Sequence, residues 1–235
     1  MASKIPQWLV GRLLAVVMLS GLGVGGVHMV QQQAQLSSAE FERAQADPYV
    51  RAVAADTSTS PAVKLAMVLG HFYESSGKHI GWPYVDKLGK GQPLTVCNGI
   101  TGQGVIAGKW YSPADCYKLE KGRYLQAERA AKRMFAHWVG YNVWVRASII
   151  DMIYNLGEGA VSGSTMRAQA NAGHSPDVWC PQMQRWVRGT VNGKSVVLPG
   201  LVGRRDTTAE LCKDWGRDGH FSAALIEQSR EEVRP

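Results

Sequence analysis

With 235 residues, 45% of them hydrophobic, the chain is long enough for one good-sized globular domain with a proper core and further segments. Its formal net charge of +7 comes from Lys and Arg scattered along the sequence rather than gathered in blocks. No nucleic-acid motif accompanies them, so no nucleic-acid partner is expected and an anionic cell-wall polymer or a membrane surface is the better reading, beside a merely soluble basic face.

The first twelve residues carry Lys4 and Arg12 and no acid, and residues 13–30 contain no Lys, Arg, Asp or Glu. Eighteen such residues reach the lower limit for a membrane-spanning helix, and the positive flank predicts the N-terminus inside and the rest outside. The second half of this span is rich in glycine (Gly21, Gly23, Gly25, Gly26), which lowers both helix propensity and apolar area. Three readings stay open: an anchor able to leave the bilayer intact, a signal peptide cleaved near Ser37-Ser38-Ala39, and a permanent anchor.

Residues 31–60 read as a linker with a short helix, helix-like from Phe41 to Ala55. Ser60-Pro61 supplies an N-cap and a first-turn proline for a helix whose apolar positions (Val63, Leu65, Met67, Val68, Leu69, Phe72) lead to Glu74. The next stretch, to Gly102, is Gly- and Pro-rich and suits short strands and turns. Ser112-Pro-Ala-Asp115 predicts a capped helix through Phe135, whose basic residues mostly form a solvated face with a minority available to a groove. Residues 143–154 are apolar almost all round, the pattern of a buried central helix, and Gly157 suits its C-cap. Ser175-Pro-Asp177 predicts a helix through Cys180 to Trp186, and Val191-Asn-Gly-Lys194 a tight hairpin.

The four cysteines (Cys97, Cys116, Cys180, Cys212) form no Cys-x-x-Cys pair and no zinc spacing, so no metal is expected; nor is a cofactor. In an exported domain two disulfides are their natural use. Three connectivities are possible, and sequence order suggests Cys97–Cys116 and Cys180–Cys212.

Glu74 ends an apolar helix, where partial desolvation raises a carboxyl's pKa and suits it to act as an acid at neutral pH. Asp86 lies on a polar, Gly-bordered loop where a carboxylate stays ionised. Two carboxyls with environments that differ in this way are what glycoside hydrolysis needs.

The run Tyr84-Val-Asp-Lys-Leu-Gly89 followed by Thr95-Val-Cys-Asn-Gly-Ile-Thr-Gly102 resembles the active-site hairpin of the phage-type lysozymes, glycoside hydrolase family 24. Glu74, Asp86 and Thr95 fall on that family's catalytic Glu, Asp and Thr. Tyr154-Asn-Leu-Gly157 resembles the family's Tyr-Asn-x-Gly. Residues 198–212, with Arg204, Arg205 and Glu210, resemble its closing segment, in which the two arginines are expected to hold structural ion pairs. Ser75 replaces a family glycine, Ile100 a common histidine, and the stretch between Glu74 and Tyr84 is about three residues longer. The glycine-rich N-terminal segment resembles the signal-anchor-release segment of certain phage endolysins.

The resemblance implies an α+β, mainly helical, lysozyme-like fold with a small β-hairpin lobe carrying the active site and a larger helical lobe. It implies a signal-anchor-release segment over residues 1–30, a linker over 31–60 and a catalytic domain over 61–235. The function implied is an endolysin muramidase cutting peptidoglycan for host lysis, with Glu74 as acid, Asp86 steering water and Thr95 positioning it. Tethering to the inner membrane through residues 13–30, N-in and C-out with the domain in the periplasm, would hold the enzyme off. Release would activate it, with functional dependence on a holin without direct contact and a monomer as the working form. Residues 1–31 contain no Cys, so blocking by a cysteine in the anchor is closed and steric or conformational control is expected. Two rivals are a lytic transglycosylase, which would not need Asp86, and a non-catalytic wall-binding protein.

Overall fold

The computed structural model describes residues 5–6, 9, 12–13, 16, 46–75, 78–86, 91–102, 104–191 and 193–215. The described elements are mainly helical with two small antiparallel sheets, the α+β class that the resemblance implied. Helix α1 (Pro48–Ala55) starts at Asp47, whose carboxylate accepts from Tyr49 N (2.9 Å) and Val50 N (3.2 Å), with Pro48 in the first turn. Helix α2 (Pro61–Ser75) starts as the sequence predicts, Ser60 Oγ accepting from Val63 N at 3.3 Å. It is buried on nearly every side from Ala62 to His71; even Lys64 is covered, its ammonium donating to Ala54 O at 3.0 Å.

After α2 comes a three-stranded sheet of β1 (Tyr84–Val85), β2 (Leu94–Val96) and β3 (Ile100–Thr101), in that spatial order. Tyr84 pairs with Thr95, and Thr95 with Thr101. The β2–β3 turn places Cys97 at φ +57° and Gly99 at φ +81°. The first is left-handed backbone on a side chain that disfavours it, so the surroundings must hold it there.

Helix α3 (Pro113–Met134) carries the expected capping box, Ser112 and Asp115 each accepting from the other's backbone N–H. Helix α4 (Val143–Leu156) is the buried central helix, capped by Asn142 and ended by Gly157 at φ +84°. It packs against α2, α3 and the closing helix α8 (Pro199–Lys213). Between them lie α5 (Glu158–Ser162), α6 (Thr165–Asn171) and α7 (Pro176–Trp179), then a 3₁₀ segment (Cys180–Arg185) and the hairpin β4 (Arg188–Val191) and β5 (Lys194–Val197). The sequence predicts one helix from Ser175 to Trp186; it switches to 3₁₀ at Cys180, beside Pro181, whose missing N–H breaks the α pattern.

One close approach demands a glycine. Tyr124 of α3 crosses α2 at Gly70, where a Cβ would run into the phenol hydroxyl, and its ring stacks on Tyr154 of α4 at 3.9 Å. Both disulfides form as sequence order suggests, Cys97–Cys116 with Cα atoms 5.4 Å apart and Cys180–Cys212 with 5.7 Å.

At the N-terminus Leu9, Arg12, Leu13 and Val16 are helical, and Ile5, Leu9, Leu13 and Val16 are buried in the same core as Tyr49, Val50 and Val53 of α1. Ile5 N donates to Glu210 Oε2 at 2.8 Å, and Arg12 pairs with Asp47 at 2.8 Å. Most of the sequence-predicted span 13–30 lies outside the described residues. Among those described, no helix is long and apolar enough to cross a membrane.

Candidate active site

A cleft of about 570 Å³ opens where α2, the β2–β3 turn, α3 and α4 meet. Its lining includes Glu74, Asn98, Gly99, Arg123, Tyr154 and Asn155. Glu74 occupies the last turn of α2, its side chain 28% exposed, so α2's burial delivers one carboxyl to the rim of open space. Behind it Arg204 of α8, almost fully buried, pairs with Glu74 and also donates to Asp151 of α4 through Nη2 at 2.6 Å. Asp151 is completely buried and accepts additionally from Thr208 Oγ1 at 3.1 Å. Despite a desolvation that lowers it, Arg204 is held well above the ordinary guanidinium range by Asp151 and Glu74. Asn155 Nδ2 reaches Glu74 Oε1 at 3.4 Å from the other side.

Asp86 follows β1, its N–H donating to Pro93 O at 3.0 Å. Thr95 stands on the middle strand, 2% exposed, and its hydroxyl donates to the same carbonyl at 3.1 Å. Neither is among the residues that line the cleft with Glu74. Tyr84 stands opposite Thr95 across the β1–β2 pair. Its phenol is pushed up by burial and further by the charges of Asp86 and Glu74.

Sequence reasoning left several lining residues unassigned. Arg123 Nη2 donates to Thr101 O at 2.8 Å, fixing β3 to α3, and Glu158 at the cleft's edge pairs with Arg133 at 2.9 Å. Tyr154 OH donates to Asn98 O at 3.1 Å. Among the described residues the side-chain cluster whose donors converge tightly enough for a metal is Cys97, Cys116 and Glu120, and its two sulfurs are joined in a disulfide with no thiolate to offer.

The family model for phage lysozyme matches residues 81–208, more than half of the chain. The chain belongs to the phage lysozyme family. It is 30% identical over 135 residues to the SAR-endolysin of bacteriophage PS119, spanning 57% of this chain and 74% of that protein. To the SAR-endolysin of Pseudomonas phage phiKMV it is 30% identical over 118 residues, 50% of this chain and 71% of that protein. The fold is similar to that of the endolysin from Escherichia coli O157:H7 phage FAHEc1, with a TM-score of 0.55, 24% identity, and coverage of 63% of this chain and 90% of that one. It is similar also to the active form of the P1 phage endolysin Lyz, with a TM-score of 0.52, 20% identity, and coverage of 67% and 85%. This phage lysozyme is accordingly an enzyme of the lysozyme type, an endolysin whose substrate is peptidoglycan.

Proposed function

We propose that the enzyme hydrolyses the β-1,4 bond between N-acetylmuramic acid and N-acetylglucosamine, with Glu74 as general acid, Asp86 as the carboxylate that steers water and stabilises the sugar cation, and Thr95 as the group that positions that water. The observation that carries this reading is Glu74 at the rim of the cleft, held by buried Arg204 behind it and by Asn155 from the other side. Glu74 protonates the leaving oxygen; the opposing carboxylate directs a water to the other face of the sugar, which inverts the anomeric carbon. Thr95, donating to Pro93 O, keeps lone pairs that can accept from such a water.

Residues 1–30 act in this reading as the signal-anchor-release segment, residues 31–60 as a linker with α1, and 61–235 as the catalytic domain. Exported N-in and C-out, the enzyme is tethered to the periplasmic face of the inner membrane until a holin collapses the potential, without touching the enzyme, and it works as a monomer. The burial of Ile5, Leu9, Leu13 and Val16 in the core supports a released form in which part of this segment packs on the domain.

Glu74→Gln is expected to leave the fold intact and remove nearly all turnover on purified peptidoglycan. Reducing ends bearing an added water are the expected products of the full-length protein. Anhydro sugars instead, with Asp86→Asn fully active, would make it a transglycosylase; normal turnover by Glu74→Gln would end the assignment.

A further inference from the structure

Of the two fully buried carboxyls among the described residues, Asp151 is paired with Arg204 behind Glu74, while Glu120 has no part in the mechanism above. Glu120 of α3 is 0% exposed and enters no ion pair among the described residues. Burying a carboxyl without a cation is costly unless hydrogen bonds offset it. Three donors supply them: Tyr49 OH from α1, Asn98 N at 3.1 Å, and Asn98 Nδ2, 3.0 Å from both oxygens. Asn98 is the centre of the left-handed β2–β3 turn and, with Gly99, part of the cleft's lining.

That turn is therefore gripped from beneath. Glu120 holds Asn98 at two atoms, Cys97 is tied to Cys116 one helical turn before Glu120, and Tyr154 holds Asn98 O from α4. The other arm of the grip leads away from the cleft. Tyr49 lies two residues into α1; Asp47 caps that helix through Oδ1, and Oδ2 of the same carboxylate pairs with Arg12 of the N-terminal segment. Arg12, Asp47, Tyr49, Glu120 and Asn98 thus form a continuous path from the docked N-terminal segment to the cleft.

We propose that Glu120, with Tyr49, is a positioning residue for hydrolysis: it holds the Cys97–Asn98–Gly99 turn in register with Glu74 and passes to that turn the docking of the N-terminal segment on α1. The inference rests on the reading of this cleft as the hydrolytic one. Glu120 acts through Asn98 and touches no substrate. When the segment is withdrawn, Asp47 loses its cation, α1 loses apolar cover, and Tyr49 loosens from Glu120.

Burial pushes the Glu120 carboxyl up to about 7, the hydrogen bonds from Tyr49 and Asn98 opposing and the Glu74 charge adding to the rise. The other titratable groups around it hold one state near neutrality: His71 of α2 is lowered to about 4 by burial, and Tyr49, Tyr124 and Tyr154 are all raised. Below about pH 7 the carboxyl gains a proton, one acceptor becomes a donor, and the grip on Asn98 weakens.

The test uses full-length enzyme released from membranes, with kcat and KM on solubilised peptidoglycan strands, thermal unfolding, and a pH profile for each variant. A misplacement of about 1 Å in a site costs roughly a hundredfold in rate; partial loosening is expected to lower kcat about tenfold in Glu120→Gln and in Tyr49→Phe, with KM within about twofold. The double variant should be no worse than the poorer single one, because the two act as a unit. Arg12→Gln should lower kcat in the same direction, and the acid limb near pH 7 should be lost in Glu120→Gln. Wild-type kcat with an unchanged pH profile in Glu120→Gln, or losses that add in the double variant, would overturn the proposal. Should Glu120→Gln fail to fold, wild-type kcat in Tyr49→Phe overturns it alone. Glu74→Gln run alongside separates the two ideas, since its full activity would remove the cleft reading itself.

Discussion

Arg205 donates to Oδ1 of Asn155 and so turns the amide nitrogen of Asn155 towards Glu74, 3.4 Å away. A guanidinium has only donors, so the orientation of this amide is set by chemistry. Buried Arg205 thereby decides what the cleft presents to its acid.

Asn155→Asp keeps an acceptor for Arg205 but replaces the donor to Glu74 with a second acceptor. It is expected to fold with a wild-type melting point and lose roughly tenfold to a hundredfold in kcat. Asn155→Leu loses the acceptor as well, leaving Arg205 unpaired on that side, and should also lose about 1–3 kcal/mol of stability. Equal activity in Asn155→Asp and wild type would show that the amide's contact with Glu74 plays no part in turnover.

Asp151 is the anion shared by this arginine pair: Arg204 Nη2 at 2.6 Å, and Arg205 Nη1 at 3.7 Å. Asp151→Asn leaves two buried cations with Glu74 as the remaining carboxylate, and urea unfolding should register a loss of about 3–5 kcal/mol. Asp151→Leu combined with Arg204→Met should recover part of that loss, while turnover stays low because Glu74 is no longer held. A double variant less stable than Asp151→Asn would mean the pair itself stabilises the fold.

Much of this arrangement was legible in the sequence because it follows from local rules. Ser60 and Ser112 cap their helices, Gly157 closes α4, and the two disulfides join neighbours in sequence order. Glu74 could be singled out because it ends the apolar α2 and falls on the motif that resembles the phage-type lysozymes. Glu120 could have been: Cys116, Glu120, Tyr124, Ala127 and Ala131 recur at helical spacing on one buried stripe, so a carboxyl falls where only apolar groups are expected. The many Lys and Arg of α3 masked that stripe. What no local rule supplies is the partner of a long-range contact; Arg204 finds Glu74 across 130 residues, and Arg12 of the N-terminal segment finds Asp47 at the start of α1.

The Cys97–Cys116 bond closes a separation of 19 residues under the cleft floor, and Cys180–Cys212 one of 32 within the helical part. Loop closure alone gives each about 3–4 kcal/mol, so replacing either pair by serines should lower the melting temperature by similar amounts. Activity should separate them. Without its disulfide Cys97 is freer to leave its left-handed conformation, and the Cys97→Ser/Cys116→Ser enzyme should lose more kcat at a temperature where both variants are folded. Equal losses would show that the turn needs no covalent tie.

The buried pair Glu120 and His71, bridged by Asn98, gives the pH test of stability. Burial raises Glu120 from its ordinary 4.5 to about 7, so between these values the folded chain binds the extra proton and stability falls as pH rises. At about 1.4 kcal/mol per pH unit this amounts to roughly 3 kcal/mol, fully present below about pH 4.5 and gone above about pH 7. His71 runs the other way. Burial lowers it from 6.5 to about 4, so the unfolded chain binds the extra proton and stability is complete above pH 6.5 and declines as pH falls towards 4. Over their shared range the two slopes oppose, and the wild type should respond only weakly to pH through this pair. Glu120→Gln leaves the histidine alone: measured by urea unfolding at intervals from pH 4.5 to 7.5, its stability relative to wild type should climb by roughly 3 kcal/mol. His71→Gln should give the mirror image, falling relative to wild type as pH rises from 4 to 6.5. Parallel curves for wild type and Glu120→Gln would mean that Glu120 carries the same charge folded and unfolded throughout, and that its hydrogen bonds fully offset its burial.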